Sequence, residues 1–179
     1  MSKIKATYKT ISLFQKIAKI IAPPPVLKIS EWADRYRRLS PESSAEPGQW
    51  NTGRAPYQKE IMNAVNDNEC GEVIIMSSAQ VGKTEIILNI LGYFIDYDPA
   101  PIMVVQPTLE MAQTFSKDRL APMIRDTPVL KSKVREARSK ISENTILHKK
   151  FPGGHITIVG ANSAAGLASR PIRILLCDE

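Results

Sequence analysis

With 179 residues, 43% of them hydrophobic and 23% charged, the chain is long enough for one domain with a real core and reads as soluble and globular. No run approaches the ~18 apolar residues that span a bilayer. Lys16 and Lys19 break up the stretch from Ile11 to Ala22 and argue against a secretory leader. Two cysteines give no disulfide framework, and with only two histidines and no C-x-x-C a Cys/His zinc site is disfavoured.

The net charge of +6 sits in one region. Residues 117–150 hold ten Lys/Arg and four Asp/Glu, so the rest of the chain balances to zero. A basic excess so confined suggests a polyanion partner close to it; the competing reading is a lysine-rich solvated helix face.

Residues 8–21 place Leu13, Phe14, Ile17, Ile20 and Ile21 on one helical stripe, with Lys9, Lys16 and Lys19 outside it. Such an amphipathic helix binds a partner, lies on a membrane surface, or packs on its own domain; Pro23-Pro24-Pro25, a stiff linker, favours the first. A second short helix is predicted over 29–38 with Ser30 as its cap, then a Ser/Pro/Gly-rich loop over 39–55. Pro56 opens a helix over 56–67 that carries Tyr57 and Gln58, an aromatic and an amide able to stack on and hydrogen-bond an adenine, or else an ordinary packed Tyr and surface Gln.

The central stretch is Ser77-Ser78-Ala79-Gln80-Val81-Gly82-Lys83-Thr84, between the apolar run Val73 to Met76, predicted as a buried strand, and a helix over about 83–96. Its end matches the phosphate-binding loop G-x-x-x-x-G-K-[ST], with Ser77 in place of the first glycine. Gly82 lets the backbone approach phosphate. The loop N–H groups and the helix dipole face the anion. Lys83 reaches the β- and γ-phosphates of ATP, and the Thr84 hydroxyl ligates Mg2+. The alternative is a plain strand–helix turn with an exposed lysine.

A second buried strand is predicted over 101–106. Gln106-Pro107-Thr108 then places polar groups at its carboxyl end, where ligands bind in open α/β sheets. A helix over 109–124 and a basic helix-plus-loop over 125–143 follow. Thr145 to His148 and His155 to Val159, separated by Phe151-Pro152-Gly153-Gly154, read as a β-hairpin. A small-residue loop over 160–170 leads to a last strand from Ile172, with Cys177 as a buried free thiol and Asp178-Glu179 at its end. Asp178 is the carboxylate to hold Mg2+, and Glu179 the one to orient and deprotonate the attacking water.

Taken together, Trp50 to Gln58, the loop at 77–84, Val105 to Thr108, Gly160-Ala161-Asn162, Leu167 to Pro171 and Cys177-Asp178-Glu179 resemble the large subunit of tailed-phage terminases, lambda-type branch, over roughly residues 28–179. The resemblance implies a P-loop NTPase of the additional-strand class: a mostly parallel sheet flanked by helices, incomplete at the carboxyl end, with a hairpin before the last strand. In that class a later strand inserts between the P-loop strand and the Asp-Glu strand. The resemblance further implies an ATPase that drives double-stranded DNA into a procapsid in the host-cell cytoplasm, with Mg2+ and ATP. Its implied partners are the terminase small subunit, the portal and further copies of itself, with no membrane. Tyr57 and Gln58 fall at the adenine motif, Ser77 to Thr84 at the phosphate loop, and Lys83 and Glu179 at the catalytic positions. Thr84 and Asp178 fall at the metal. Many terminases carry an arginine inside the phosphate loop; Ser78 and Gln80 stand there, leaving Arg170 and Arg54 as charge-stabilising candidates. Residues 1–27 then form a helix and linker suited to the small subunit, and 28–179 the ATPase portion. The family's coupling motif and C-terminal nuclease domain are absent from this sequence, which predicts poor ATP turnover and no DNA cutting by these residues alone. The alternatives are a helicase-type P-loop translocase and a nucleotide-binding fragment without turnover.

Overall fold

The computed structural model describes residues 8–21, 27–67, 69–134, 144–168 and 170–178. In chain order, α1 (Tyr8–Ile21) is followed by α2 (Ile29–Tyr36), a two-residue ribbon of β1 (Arg38–Leu39) and β2 (Gly48–Gln49), and α3 (Tyr57–Ala64). Then come α4 (Lys83–Asp96), β3 (Pro101–Gln106), α5 (Leu109–Thr114), a π-helical turn Phe115–Leu120, α6 (Ala121–Asp126) and α7 (Pro128–Lys131). The chain ends in β4 (His148–Phe151), β5 (Gly154–Gly160), α8 (Ala164–Leu167) and β6 (Ile174–Cys177). The helix expected over 109–124 is thus one rod with a π segment at its middle, where the Ser116 hydroxyl leaves the helix to donate to the Ile146 carbonyl. Ser30 does not cap α2: it is buried inside the first turn, and the Glu31 carboxylate accepts the Lys28 N–H at 3.1 Å instead.

Four strands pair in the order β4-β5-β3-β6, with β3 parallel to both neighbours and β4 antiparallel to β5. The register places Ile102 and Val104 beside Ile156 and Ile158 on one side and Ile174 and Leu176 on the other. Strand alternation therefore gives these residues one face, and that face is the floor of the core. α4 closes over it. All residues from Ile86 to Ile95 are buried, as a helix apolar on every side must be. The hairpin joins β4 to β5 through Pro152-Gly153, with Gly153 at φ +86, the residue pair a type II turn favours. Its first strand runs three residues later than the pattern Thr145 to His148 suggested, because the turn itself sets the register.

Two expectations fail. Residues 71–78 form no strand and lie outside the sheet; Ile74 is 81% and Met76 98% exposed. An apolar run becomes a strand only beside a partner that takes up its backbone hydrogen bonds, and no described segment lies along it. Cys177 is exposed rather than buried, since β6 is the sheet edge and Cys177 points to the face opposite the core. The stripe on α1 is also outward: Leu13, Phe14 and Ile17 are exposed.

Two long-range contacts lock α4 against the residues before it. The six-membered ring of Trp32 packs on Gly92, where a Cβ would come within 2.2 Å of it, and the Trp32 Nε1–H donates to Asp96 at 2.8 Å. Arg37, buried, reaches the first turns of α4, donating to the Glu85 carboxylate and to Asn89 Oδ1, each at 2.6 Å, with its guanidinium stacked 5.4 Å from the Trp50 ring. Burial pulls the Arg37 pKa down while Glu85 pushes it back up.

Candidate nucleotide site

Gly82 is the turning point of the site. It caps the amino end of α4 in the left-handed conformation, φ +78, and a Cβ there would come within 2.6 Å of Gln58 Nε2. Gln80 is also left-handed, at φ +60, the one described non-glycine residue that is. Backbone of this kind turns successive N–H groups toward one point, the geometry that receives an anion at a helix start. Lys83 and Thr84 form the first turn of α4, both half-buried, and the Lys83 ammonium makes no ion pair among the described residues. Ser77, Ser78, Ala79 and Gln80 are exposed and irregular, and Val81 is half-buried.

Tyr57 and Gln58, at the start of α3, meet the loop directly. Tyr57 Oη donates to the Val81 carbonyl at 2.8 Å, and Gln58 Nε2 donates to the same carbonyl at 3.1 Å and to that of Gly82 at 3.5 Å. The Tyr57 ring is exposed; the Gln58 amide is buried, and its Oε1 has no hydrogen-bond partner among the described residues.

The residues expected to form the second half lie at the carboxyl edge of the sheet. Asp178 follows β6 and extends its pairing, its N–H donating to the Val105 carbonyl at 3.0 Å. Gln106, at the end of β3, is buried and donates from Nε2 to Asp178 Oδ2 at 3.1 Å. The oxygen donors in hand, one carboxylate and the Thr84 hydroxyl, suit Mg2+, which takes one or two carboxylates with substrate phosphates and water rather than a full protein cage. No cluster of three or more His, Cys, Asp or Glu that could hold a metal occurs among the described residues. Glu179 lies outside the described residues, as do residues 135–143 of the basic region. Neither arginine candidate is bonded to the loop: Arg170 reaches Thr157 Oγ1 at 3.5 Å and Arg54 pairs with Glu46.

The family described as "Phage terminase large subunit gpA, ATPase domain" matches residues 44–179. The chain belongs to that family. It is 30% identical over 164 residues to the terminase large subunits of Enterobacteria phage P21 and of Escherichia phage lambda, a span of 91% of this chain and 25% of each relative. The chain therefore corresponds to about a quarter of those terminases. Its fold is similar to the crystal structure of the HK97 bacteriophage large terminase, with a TM-score of 0.60 over 84% of this chain and 36% of that one, at 15% identity. The mixed α/β fold with a mostly parallel sheet is thus shared with part of a large terminase.

Two residues that the sequence did not assign border the candidate site. Arg37 fastens the helix that carries Lys83, and Gln106 holds Asp178. Gln106 stood out as a polar group at the carboxyl end of a strand, the edge where ligands bind, but with no partner named; for Arg37 the chain gave no local signal. The basic region is partly spent inside the fold. Lys133 pairs with Asp96, Arg125 with Glu42 and Asp126, Arg119 donates to the Ser43 carbonyl, and Lys149 is buried.

Proposed function

We propose that this chain is the nucleotide-binding part of a viral DNA-packaging ATPase. In the subunit to which it belongs, hydrolysis of ATP with Mg2+ drives double-stranded DNA into a procapsid. The observation that carries this reading is the left-handed Gly82 at the start of α4, with Lys83 just beyond it making no ion pair among the described residues and the sheet edge leading into Asp178. The triphosphate lies on the α4 amino end, Lys83 stabilises charge on the γ-phosphate, and Glu179 orients the attacking water. Thr84 and Asp178 hold Mg2+, which when bound neutralises phosphate charge. Tyr57 stacks on the adenine, and the buried unpartnered Gln58 Oε1 is the acceptor its amino group satisfies. Arg170 and Arg54, both on the surface, remain the charge-stabilising candidates.

Residues 1–27 serve the small subunit, through the outward stripe Leu13, Phe14 and Ile17. Residues 28–179 form the ATPase portion, which assembles with further copies at the portal, and the exposed Lys117 and Lys131 contact DNA. No helix among the described residues is long and apolar enough to cross a membrane.

A second reading holds for these residues alone. With 71–78 outside the sheet, the loop is not tied through a strand to the edge that carries Asp178. A displacement of about 1 Å can lower a rate ~100-fold. The isolated chain therefore binds nucleotide and turns it over poorly. The test is ATP hydrolysis by the 179-residue chain and by the intact subunit, each with and without DNA. DNA-stimulated turnover is expected in the subunit, abolished by Glu179→Gln, and little in the chain alone. A subunit whose hydrolysis survives Glu179→Gln would contradict it.

A further inference from the structure

We propose that Gln106 is a positioning residue for Asp178, holding one carboxylate oxygen so that the other is presented to the divalent cation. The inference rests on the reading of Asp178 as the metal-associated acid. Gln106 ends the central strand, one residue beyond the Val105–Cys177 pairing, which sets it beside Asp178. It belongs to the alternation Ile102, Val104, Gln106 that faces the core, so its amide is buried at a position the pattern reserves for an apolar residue. A buried amide is costly unless it is hydrogen-bonded. Its side-chain bond goes to Asp178 Oδ2.

The backbone on both sides is fixed. The Gln106 carbonyl accepts the Ala161 N–H at 2.7 Å, and the Val105 carbonyl accepts the Asp178 N–H at 3.0 Å. The amide thus hangs from a rigid point at the meeting of three strands, and Asp178 Oδ1 carries no hydrogen bond from any described residue. The choice of side chain follows from charge. An amide N–H orients a carboxylate without neutralising it. A Lys or Arg in its place would compete with the cation, and a Glu would repel the acid it must hold. Outer hydrogen bonds of this kind orient metal ligands and set their affinity.

The experiment is a Mg2+ titration of fluorescent N-methylanthraniloyl-ATP binding to the 179-residue chain, starting from EDTA, with a thermal melt of each variant. Gln106→Met keeps the length and apolar fit but loses the donor. It is expected to raise the Mg2+ concentration at half-effect about tenfold while leaving the Mg2+-free affinity unchanged, the low end of the ~10- to 100-fold range typical of lost outer-shell partners. Gln106→Asn, polar but too short to reach, is expected to do the same and serves if the Met variant does not fold. Asp178→Asn is the control. If it shifts the Mg2+ midpoint while both Gln106 variants leave it in place, Gln106 does not position the acid. If Asp178→Asn itself shifts nothing, the metal assignment of Asp178 fails first. A Gln106 variant that loses Mg2+-free and Mg2+-dependent binding in equal measure is a packing defect and overturns the proposal.

Discussion

Tyr57 Oη donates to the carbonyl of Val81, the residue just ahead of Gly82, at 2.8 Å. The bond ties the first turn of α3 to a loop that has no strand behind it, so Tyr57 shapes the phosphate site as well as flanking it. Tyr57→Phe removes the hydroxyl and keeps a ring able to stack. One hydrogen bond is worth about 1 kcal/mol, so ATP and GTP affinities are expected to fall together by roughly fivefold. Equal affinities for wild type and variant would show the bond to be idle.

Arg37 and Glu85 make the buried ion pair at the start of α4. Arg37→Met strands a carboxylate one residue after Thr84. Breaking a buried pair costs about 3–5 kcal/mol; because solvent reaches Glu85, roughly 2–3 kcal/mol is expected, read by urea unfolding. The double variant Arg37→Met/Glu85→Gln is expected to recover part of that loss, since no charge is left unpaired. A double variant less stable than the single one would contradict the argument.

Gly92 sits under the Trp32 indole, with no room for a methyl group. Helix propensity alone favours Ala over Gly by about 1 kcal/mol. Here the sign reverses: Gly92→Ala must move Trp32 off Asp96, and overpacking of this kind costs about 1–3 kcal/mol. A lowered melting temperature is the expected outcome, and a raised one would show that the indole moves freely.

Lys149 is buried on the core side of the hairpin, its ammonium reaching, among the described residues, the Thr145 carbonyl at 3.4 Å, and burial lowers its pKa. Between the lowered folded pKa and the unfolded value near ~10.4, the unfolded chain binds more protons, so folding stability rises with pH across that window. Below it the charged lysine weighs against the fold. Lys149→Met is expected to raise the melting temperature at neutral pH and to remove the alkaline rise. An unchanged melting temperature and pH profile would place the ammonium in water.

Much of this was readable in the residues. The bounds of α4 and β3 follow from apolar runs closed by Gly82 and by Pro107, and the hairpin from Pro152-Gly153. The phosphate loop and Asp178 stood out because their chemistry is local to a few residues. What escaped depends on partners far along the chain. Val73 to Met76 has strand composition, but pairing decides whether it becomes one. The exposure of Cys177 turned on β6 being an edge. Arg37 finds Glu85 across 48 residues, and Gln106 finds Asp178 across 72. Nothing near either residue announces the contact.

The central claim is that a triphosphate rests on the amino end of α4 with Lys83 against it. Equilibrium binding of ATP to the 179-residue chain, wild type against Lys83→Ala, tests that claim most directly. Losing a charge-assisted contact of about 1.5–3 kcal/mol should weaken ATP binding by roughly 10- to 100-fold, with the melting temperature unaltered. If both proteins bind ATP equally, or if neither binds it, the turn at Gly82 is not a phosphate site.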